Sequence, residues 1–551
     1  MIKKGLVLSS CFGLMLTSCT VQTRSDNAAE STFDLLVTPV GDVNFPVECN
    51  VEAAPLVERG VALLHHMMYD EASLVFSMAD DRDPTCAMAY WGQAMAMIHP
   101  LWPDTPSSEE FERGSNFVRL AIELGGYSER EDQYIATAGA YFENAASLTE
   151  KDRLARFEAA WKTVMDKNPD DLEARAFYSL ALRAKAGAGG KDLSQQEKAG
   201  LIAESVLADN PNHPGAHHYI IHSYDFPQLA EKALAVADNY GKIAPRVPHA
   251  SHMMTHIYTR LGDWDKVIEW NTASADTAWS LCVSTGKINP HYTHALDYLA
   301  YAYLQTGQDD AVVELIQTAD ELQPPYSELS RDASAYAFAA IPARYALERR
   351  DWAAAIKLEP RSPSSFPWEE RFDRYVAITH FARAIGFARL GSPDDVDAEI
   401  GTLQILRARI AEDNPYWALQ IDIQIETARG WQTFANGNVE QALAQMKHAA
   451  SLEKSTNKHP ITPGEVLPTT ELYGDMLLKA GRYDLAFDAY RASLARGLRR
   501  YNSVYGAGKS ADGLGDVAAA AGYYSELIKM AGSSNTKRSS VMEAQEFLEN
   551  H

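Results

Sequence analysis

Pro248-His-Ala-Ser-His-Met-Met-Thr-His256 sets His249, His252 and His256 three and then four residues apart. On a 3.6-residue period that spacing puts all three rings on one face of a helix. Thirty-four residues earlier, Gly215-Ala-His-His-Tyr-Ile-Ile-His222 places Gly215, His218 and His222 at the same spacing, and a step of 45 forward reaches His294, Asp297 and Tyr301. One stripe is written three times. A period of 34 is the length of a helix-turn-helix unit, in which equivalent positions of successive units stack side by side. The pattern therefore predicts that His218, His222, His252, His256, His294 and Asp297 point into one shared space. Nine of the 16 histidines fall between His213 and His294.

Outward from this stretch, the 551 residues suffice for two ordinary domains or one long solenoid, and 46% hydrophobic content suits a packed core. Lys3, Lys4 and the apolar run Gly5 to Leu16 read as an export signal, too short to span a bilayer. It ends Leu16-Thr-Ser-Cys19, which resembles the lipobox of bacterial lipoproteins. That resemblance implies cleavage after residue 18, a lipid on Cys19 and a chain tethered to a bacterial membrane, facing the periplasm or the cell surface. Residues 19–45 read as a flexible tether. The formal charge of -24 becomes -26 once Lys3 and Lys4 leave with the signal. Such an acidic balance argues against nucleic acid and anionic lipid as partners, leaving the lipid anchor as the membrane contact.

Cys49, Cys86 and Cys282 remain in the folded part. An oxidising compartment permits a bridge between Cys49 and Cys86; two buried thiols are the other reading. Cys282 reads as a small core residue, since a nucleophile needs a neighbouring base.

The order Gly60, Leu63, Ala72, Phe76, Ala79, Pro84 resembles the tetratricopeptide repeat, in which small residues let two antiparallel helices pack closely and a proline ends the unit. Half-patterns recur at Tyr258, Gly262 and Trp264; at Tyr303, Gly307, Ala319 and Pro324; at Gly437, Ala442 and Met446; and at Gly481, Tyr483, Ala486 and Tyr490. No alternating strand pattern rises above them. The expectation is an all-α, tetratricopeptide-like solenoid, a right-handed superhelix of helix-turn-helix repeats. Residues 46–325 form its histidine-rich N-terminal half, 326–532 its C-terminal half and 533–551 a polar tail or capping helix. Gln323-Pro-Pro325 marks the boundary. Wider phrases, among them Cys86-Ala-Met-Ala-Tyr-Trp-Gly92, His99-Pro-Leu-Trp102 and Thr462-Pro-Gly-Glu465, are similar to those of a group of bacterial tetratricopeptide-repeat lipoproteins with no settled activity.

In that repeat the first helix of each pair lines a concave groove. Alignment on the turn glycines implies that the histidine stripe faces the groove, together with His249, Tyr301, His99, Trp91, Arg344, Glu471 and Asp475 as ligand-binding positions. A protein, peptide or small molecule would lie there. His459, in the loop Lys458-His-Pro-Ile-Thr-Pro463, reads either as a lid residue or as a solvent-exposed loop histidine.

Two histidines four apart on a helix can reach one metal ion, and the pair occurs twice in register, at His218/His222 and His252/His256. His294 or Asp297 would complete the set. Imidazole ligands suit zinc first, copper or iron second. Neither pair carries the glutamate of a His-Glu-x-x-His protease, so that chemistry lacks its general base. There is no phosphate loop, no Gly-x-Ser-x-Gly elbow, no Cys-x-x-Cys and no haem-attachment motif. The readings left open are a metal-holding, groove-binding protein, a metal-dependent hydrolase or oxidoreductase on the same histidines, and a metal-free interaction scaffold.

Overall fold

Proline opens each of the three histidine-bearing helices, Pro214–Tyr224, Pro248–Leu261 and Pro290–Gln305. At the first helical position its missing N–H costs nothing and its fixed φ suits the helix. His213 and Asn289 cap two of the three, each accepting a hydrogen bond from a first-turn N–H. Each histidine helix is followed by a second that packs back along it: Leu234–Ile243, Trp264–Thr285 and Asp309–Glu321. This is the helix-turn-helix unit that the 34-residue spacing predicted.

The computed structural model describes residues 34–102, 106–126, 128–144, 147–187, 192–327, 331–532, 534 and 536–551. The expected signal segment, Cys19 and the first part of the tether lie outside them. The described residues hold 25 α-helices and no strand, so the all-α solenoid expectation holds. Consecutive helices pack in sequence order from Ala54–His65 to Ser539–Asn550.

The solenoid winds back on itself. Trp264 Nε1 donates to the Arg499 carbonyl at 2.9 Å, and Arg499 Nη1 donates to the Gly262 carbonyl at 2.9 Å. Further along, Arg538 pairs with Asp309, and near the start Ser327 donates to Asp70. These contacts join residues 229 to 257 apart, so helices roughly five to six pairs on lie against the earlier turn. Gly262 belongs at this crossing. Its φ of 68° closes the preceding helix, and a Cβ there would stand 2.7 Å from the Leu498 carbonyl oxygen and 2.8 Å from the Arg499 Cβ. One hydrophobic core accordingly runs from Val40 and Phe45 to Tyr524 and Phe547, across the boundary expected at 325.

The interior of the winding is filled. The segment 454–468 enters it, with the Ile461 carbonyl accepting from Tyr298 Oη at 3.1 Å and Lys458 Nζ reaching Asp225 at 2.6 Å. The expected open groove is thereby corrected: the chain's own loop occupies its centre. Cys49 and Cys86 form a disulfide, while Cys282 is a buried thiol whose sulfur accepts from the Asn289 N–H.

Candidate metal centre

Three stacked helices bring seven imidazoles into one continuous cluster, each no more than 5% exposed. Ring centroids lie 4.9 Å apart for His218 and His222, 5.0 Å for His218 and His249, 5.4 Å for His222 and His256, and 4.9 Å for His252 and His256. His252 and His294 are 4.2 Å apart, and His249 and His291 are 4.8 Å apart. Within the cluster two trios bring ligand atoms within 4.8 Å of one another: His218, His222 and His249, and His252, His256 and His294. His249, expected only to contact a ligand, stands in the first trio.

The register of the third helix differs from the expected one. His249 faces His291, His252 faces His294 and His256 faces Tyr298, an offset of 42 and not 45. Both offsets preserve a three-then-four stripe, so spacing alone cannot separate them. The shift is one helical turn, and it carries Asp297 and Tyr301 out of the cluster. Asp297 is not brought to the ligand set: it is buried against the Arg344 guanidinium. His291 and Tyr298 take the vacated positions. The three opening prolines were the signal that could have found this, because Pro248 and Pro290 are 42 apart.

Proton placement on the second trio is set from behind. Asn271 donates its amide to the Val267 carbonyl, which leaves its oxygen to accept from His252 Nδ1 at 2.7 Å. Asp225 accepts from His256 Nδ1 at 3.0 Å. With each ring's proton on Nδ1, both Nε2 atoms present bare lone pairs, and they face each other at 3.0 Å. In the first trio His218 Nδ1 donates to the His65 carbonyl at 2.6 Å, which likewise turns its lone pair inward. His218 Nε2 and both ring nitrogens of His222 and His249 find no hydrogen-bond partner among the described residues. Each such buried group costs about 1–3 kcal/mol. A cation accepting the lone pairs removes that part of the cost, and an acceptor for the ring's other N–H, as stands behind His218, His252 and His256, is the usual arrangement around bound metal.

A third grouping, His65, Glu173 and His213, shows the contrast. Both Nε2 atoms donate to Glu173, at 2.5 and 3.2 Å, while the Nδ1 atoms accept from Tyr219 Oη and the Ala216 N–H. Every ring nitrogen there is satisfied without an ion.

Electrostatics keep the cluster neutral and ready to ligate. Burial lowers His218 to about 3 and His291 to about 4, and burial together with neighbouring imidazoles holds His222, His249, His252 and His294 well below the ordinary value. Burial lowers His256 as well, against the opposing pull of Asp225. Asp225 stays ionised: burial opposes its charge, but Lys458 and Arg260 hold it well below the carboxylate range. Between the trios lies a small pocket walled by His222, His249, His256 and His294, with Met67, Leu101, Trp102 and Ile461 closing it.

The other expected ligand positions are turned to internal structure. Trp91 is buried, stacked on Phe45. His99 is buried against Tyr69 and donates to the Ala96 carbonyl. Arg344 also donates to Tyr336 and to the Gly464 carbonyl, and Tyr301 accepts from Arg500. Glu471 pairs with Arg500 and Arg350, and Asp475 with Arg350 and Tyr490. These charges pair with one another; Arg344 and Glu471 are buried in doing so, while Asp475 and Arg350 also border a pocket that includes Arg389 and Tyr505. His459 is half-buried and stacked on Trp417 in the inserted segment, which replaces the expectation of an exposed loop histidine. Sequence reasoning missed Asp225, Asn271 and Lys458, whose roles come from contacts across 19 to 233 residues.

Fold and site together define a helical-repeat protein with a buried imidazole cluster that can hold metal. Neither a protein-family model nor a curated protein matches the sequence. Among solved structures the chain is similar to a human IFIT1 dimer with m7Gppp-AAAA, at 13% identity over 77% of this chain and 87% of that one, with a TM-score of 0.35. It is also similar to a human IFIT1 dimer with PPP-AAAA, at 12% identity over 88% and 96%, again with a TM-score of 0.35. The exclusion of nucleic acid drawn from net charge is corrected at this point. Both of those structures are described with RNA ligands. A charge summed over the chain does not set the local potential either. Nucleic acid is no longer excluded, and a likeness at this TM-score carries no argument that this chain binds it.

Proposed function

We propose that this chain is an exported, lipid-anchored helical-repeat protein that holds a transition metal in a buried, all-imidazole centre. One observation carries the reading: the Nε2 atoms of His252 and His256 face each other at 3.0 Å while Asn271 and Asp225 hold the protons on the opposite nitrogens. Two bare lone pairs at that distance repel, and a shared cation converts the repulsion into ligation. Export and anchoring are supported by the Leu16-Thr-Ser-Cys19 motif and by the Cys49–Cys86 disulfide, which belongs to an oxidising compartment. The filled interior leaves an interaction scaffold no open groove along the histidine stripe.

The test is elemental analysis of untagged mature protein, as purified and after incubation with zinc or copper. Stoichiometric metal is expected, and the ion held by His252, His256 and His294 should be lost in the His252→Ala, His256→Ala double variant while the helical circular dichroism is retained. Wild-type protein that folds and retains neither metal overturns the reading.

A further inference from the structure

Resting on the metal-centre reading, we infer that the interior holds two copper ions, one per imidazole trio, facing a shared pocket that admits a ligand of only a few atoms. The donor set divides by itself. His218, His222 and His249 converge within 4.8 Å, and so do His252, His256 and His294, but the six do not form one such group. Three nitrogens are a full complement for a three- or four-coordinate ion, with one position open toward the pocket. The trios lie side by side, His222 being 5.4 Å from His256 and His249 being 5.9 Å from His252 between ring centroids. His222 and His249 from one trio and His256 and His294 from the other wall the same pocket, so a small molecule there would touch both ions.

Charge selects the metal. All six ligands are neutral, and the carboxylate hydrogen-bonded to them, Asp225, already faces both Lys458 and Arg260. Two divalent ions would add four positive charges to this buried interior with no carboxylate between them, whereas paired iron or manganese sites in helical bundles use carboxylate ligands. Two cuprous ions add only two charges and accept trigonal imidazole ligation. Met67, which lines the pocket, offers a thioether of the kind that favours Cu(I). Met67 also has a φ of 53°, a left-handed backbone that a methionine adopts only when its surroundings impose it. Leu101, Trp102 and Ile461 complete a wall that excludes larger molecules.

The experiment is an anaerobic titration of metal-free mature protein with Cu(I), counted by elemental analysis after desalting. Oxidation with ferricyanide follows, each copper giving one electron to one ferricyanide ion, and then spin counting by electron paramagnetic resonance. Two coppers per chain are expected, with two ferricyanide ions consumed and far fewer than two spins, because two adjacent Cu(II) ions forced into this interior take up a bridging hydroxide from solvent and couple. The His218→Ala, His249→Ala variant, checked for folding by circular dichroism, should hold one copper that gives a full single-spin signal. One copper per wild-type chain, or two with two uncoupled spins, overturns the paired site and leaves the proposed function standing. Zinc retained where copper is not overturns the choice of metal. No metal of either kind sinks both readings, and the wild-type count decides this even if the variant does not fold.

Discussion

Lys458 Nζ lies 2.6 Å from Asp225, both side chains 2% exposed, although 233 residues separate them in the chain. The same carboxylate accepts from His256 at 3.0 Å and from Arg260 at 2.8 Å. One buried anion thus ties the inserted 454–468 segment, the His256 ring and the Pro248–Leu261 helix together. Its position next to the bend after Tyr224 puts it where all three converge.

Asp225→Asn should therefore act on both stability and metal. Removing the charge leaves Lys458 and Arg260 buried without compensation, a change of about 3–5 kcal/mol in urea-unfolding free energy. The reoriented His256 should weaken metal binding roughly 10–100-fold in competition with a chelator. Unchanged affinity in a destabilised variant would show that Asp225 holds the loop and does not orient the ring.

Acid should unfold the metal-free protein early, and the sign follows from the direction of the shifts. His218, His222, His249, His252, His291 and His294 are held below 6.5 in the folded chain, chiefly by burial. Above 6.5 both folded and unfolded states leave them neutral and they contribute no pH dependence. As pH falls below 6.5 the unfolded chain takes up protons that the folded chain refuses, and stability is lost. Each group contributes about 1.4 kcal/mol per pH unit until its folded value is reached, about 3 for His218 and about 4 for His291. Urea midpoints at pH 7.5, 6.5 and 5.5 should be level across the first interval and fall steeply across the second; a level profile throughout would contradict the neutral cluster.

Cys49→Ser or Cys86→Ser should cost about 3–4 kcal/mol, the value for opening a loop of this length, because the bridge closes a separation of 37 residues. The same loss should follow reduction of the wild-type protein. Metal content should be unaffected, since neither cysteine touches the cluster.

Gly92→Ala tests the repeat packing itself. A Cβ at Gly92 would stand 2.2 Å from the Phe76 ring, which also fills the space beside Gly60. Phe76 is fully buried, and overpacking it should destabilise the protein by about 2–3 kcal/mol. Thermal unfolding would register the loss, whereas a neutral effect would mean that the ring can move aside.

The helical repeat and the histidine stripe were legible in the chain itself, because both are local. A three-then-four spacing fixes which side chains share a helix face whatever the surroundings, and small residues such as Gly60, Gly92 and Ala72 mark where helices must approach closely. Tertiary structure decided the rest. The offsets 42 and 45 satisfy the same helical period, and the packing of His249 on His291 and of His252 on His294 selected between them. Asp297 was placed on Arg344 by that choice, and Lys458 on Asp225 by the folding of a distant loop into the interior. Helical periodicity acts over a few residues, whereas the register between helices and the siting of protons on buried imidazoles depend on neighbours contributed from far along the chain.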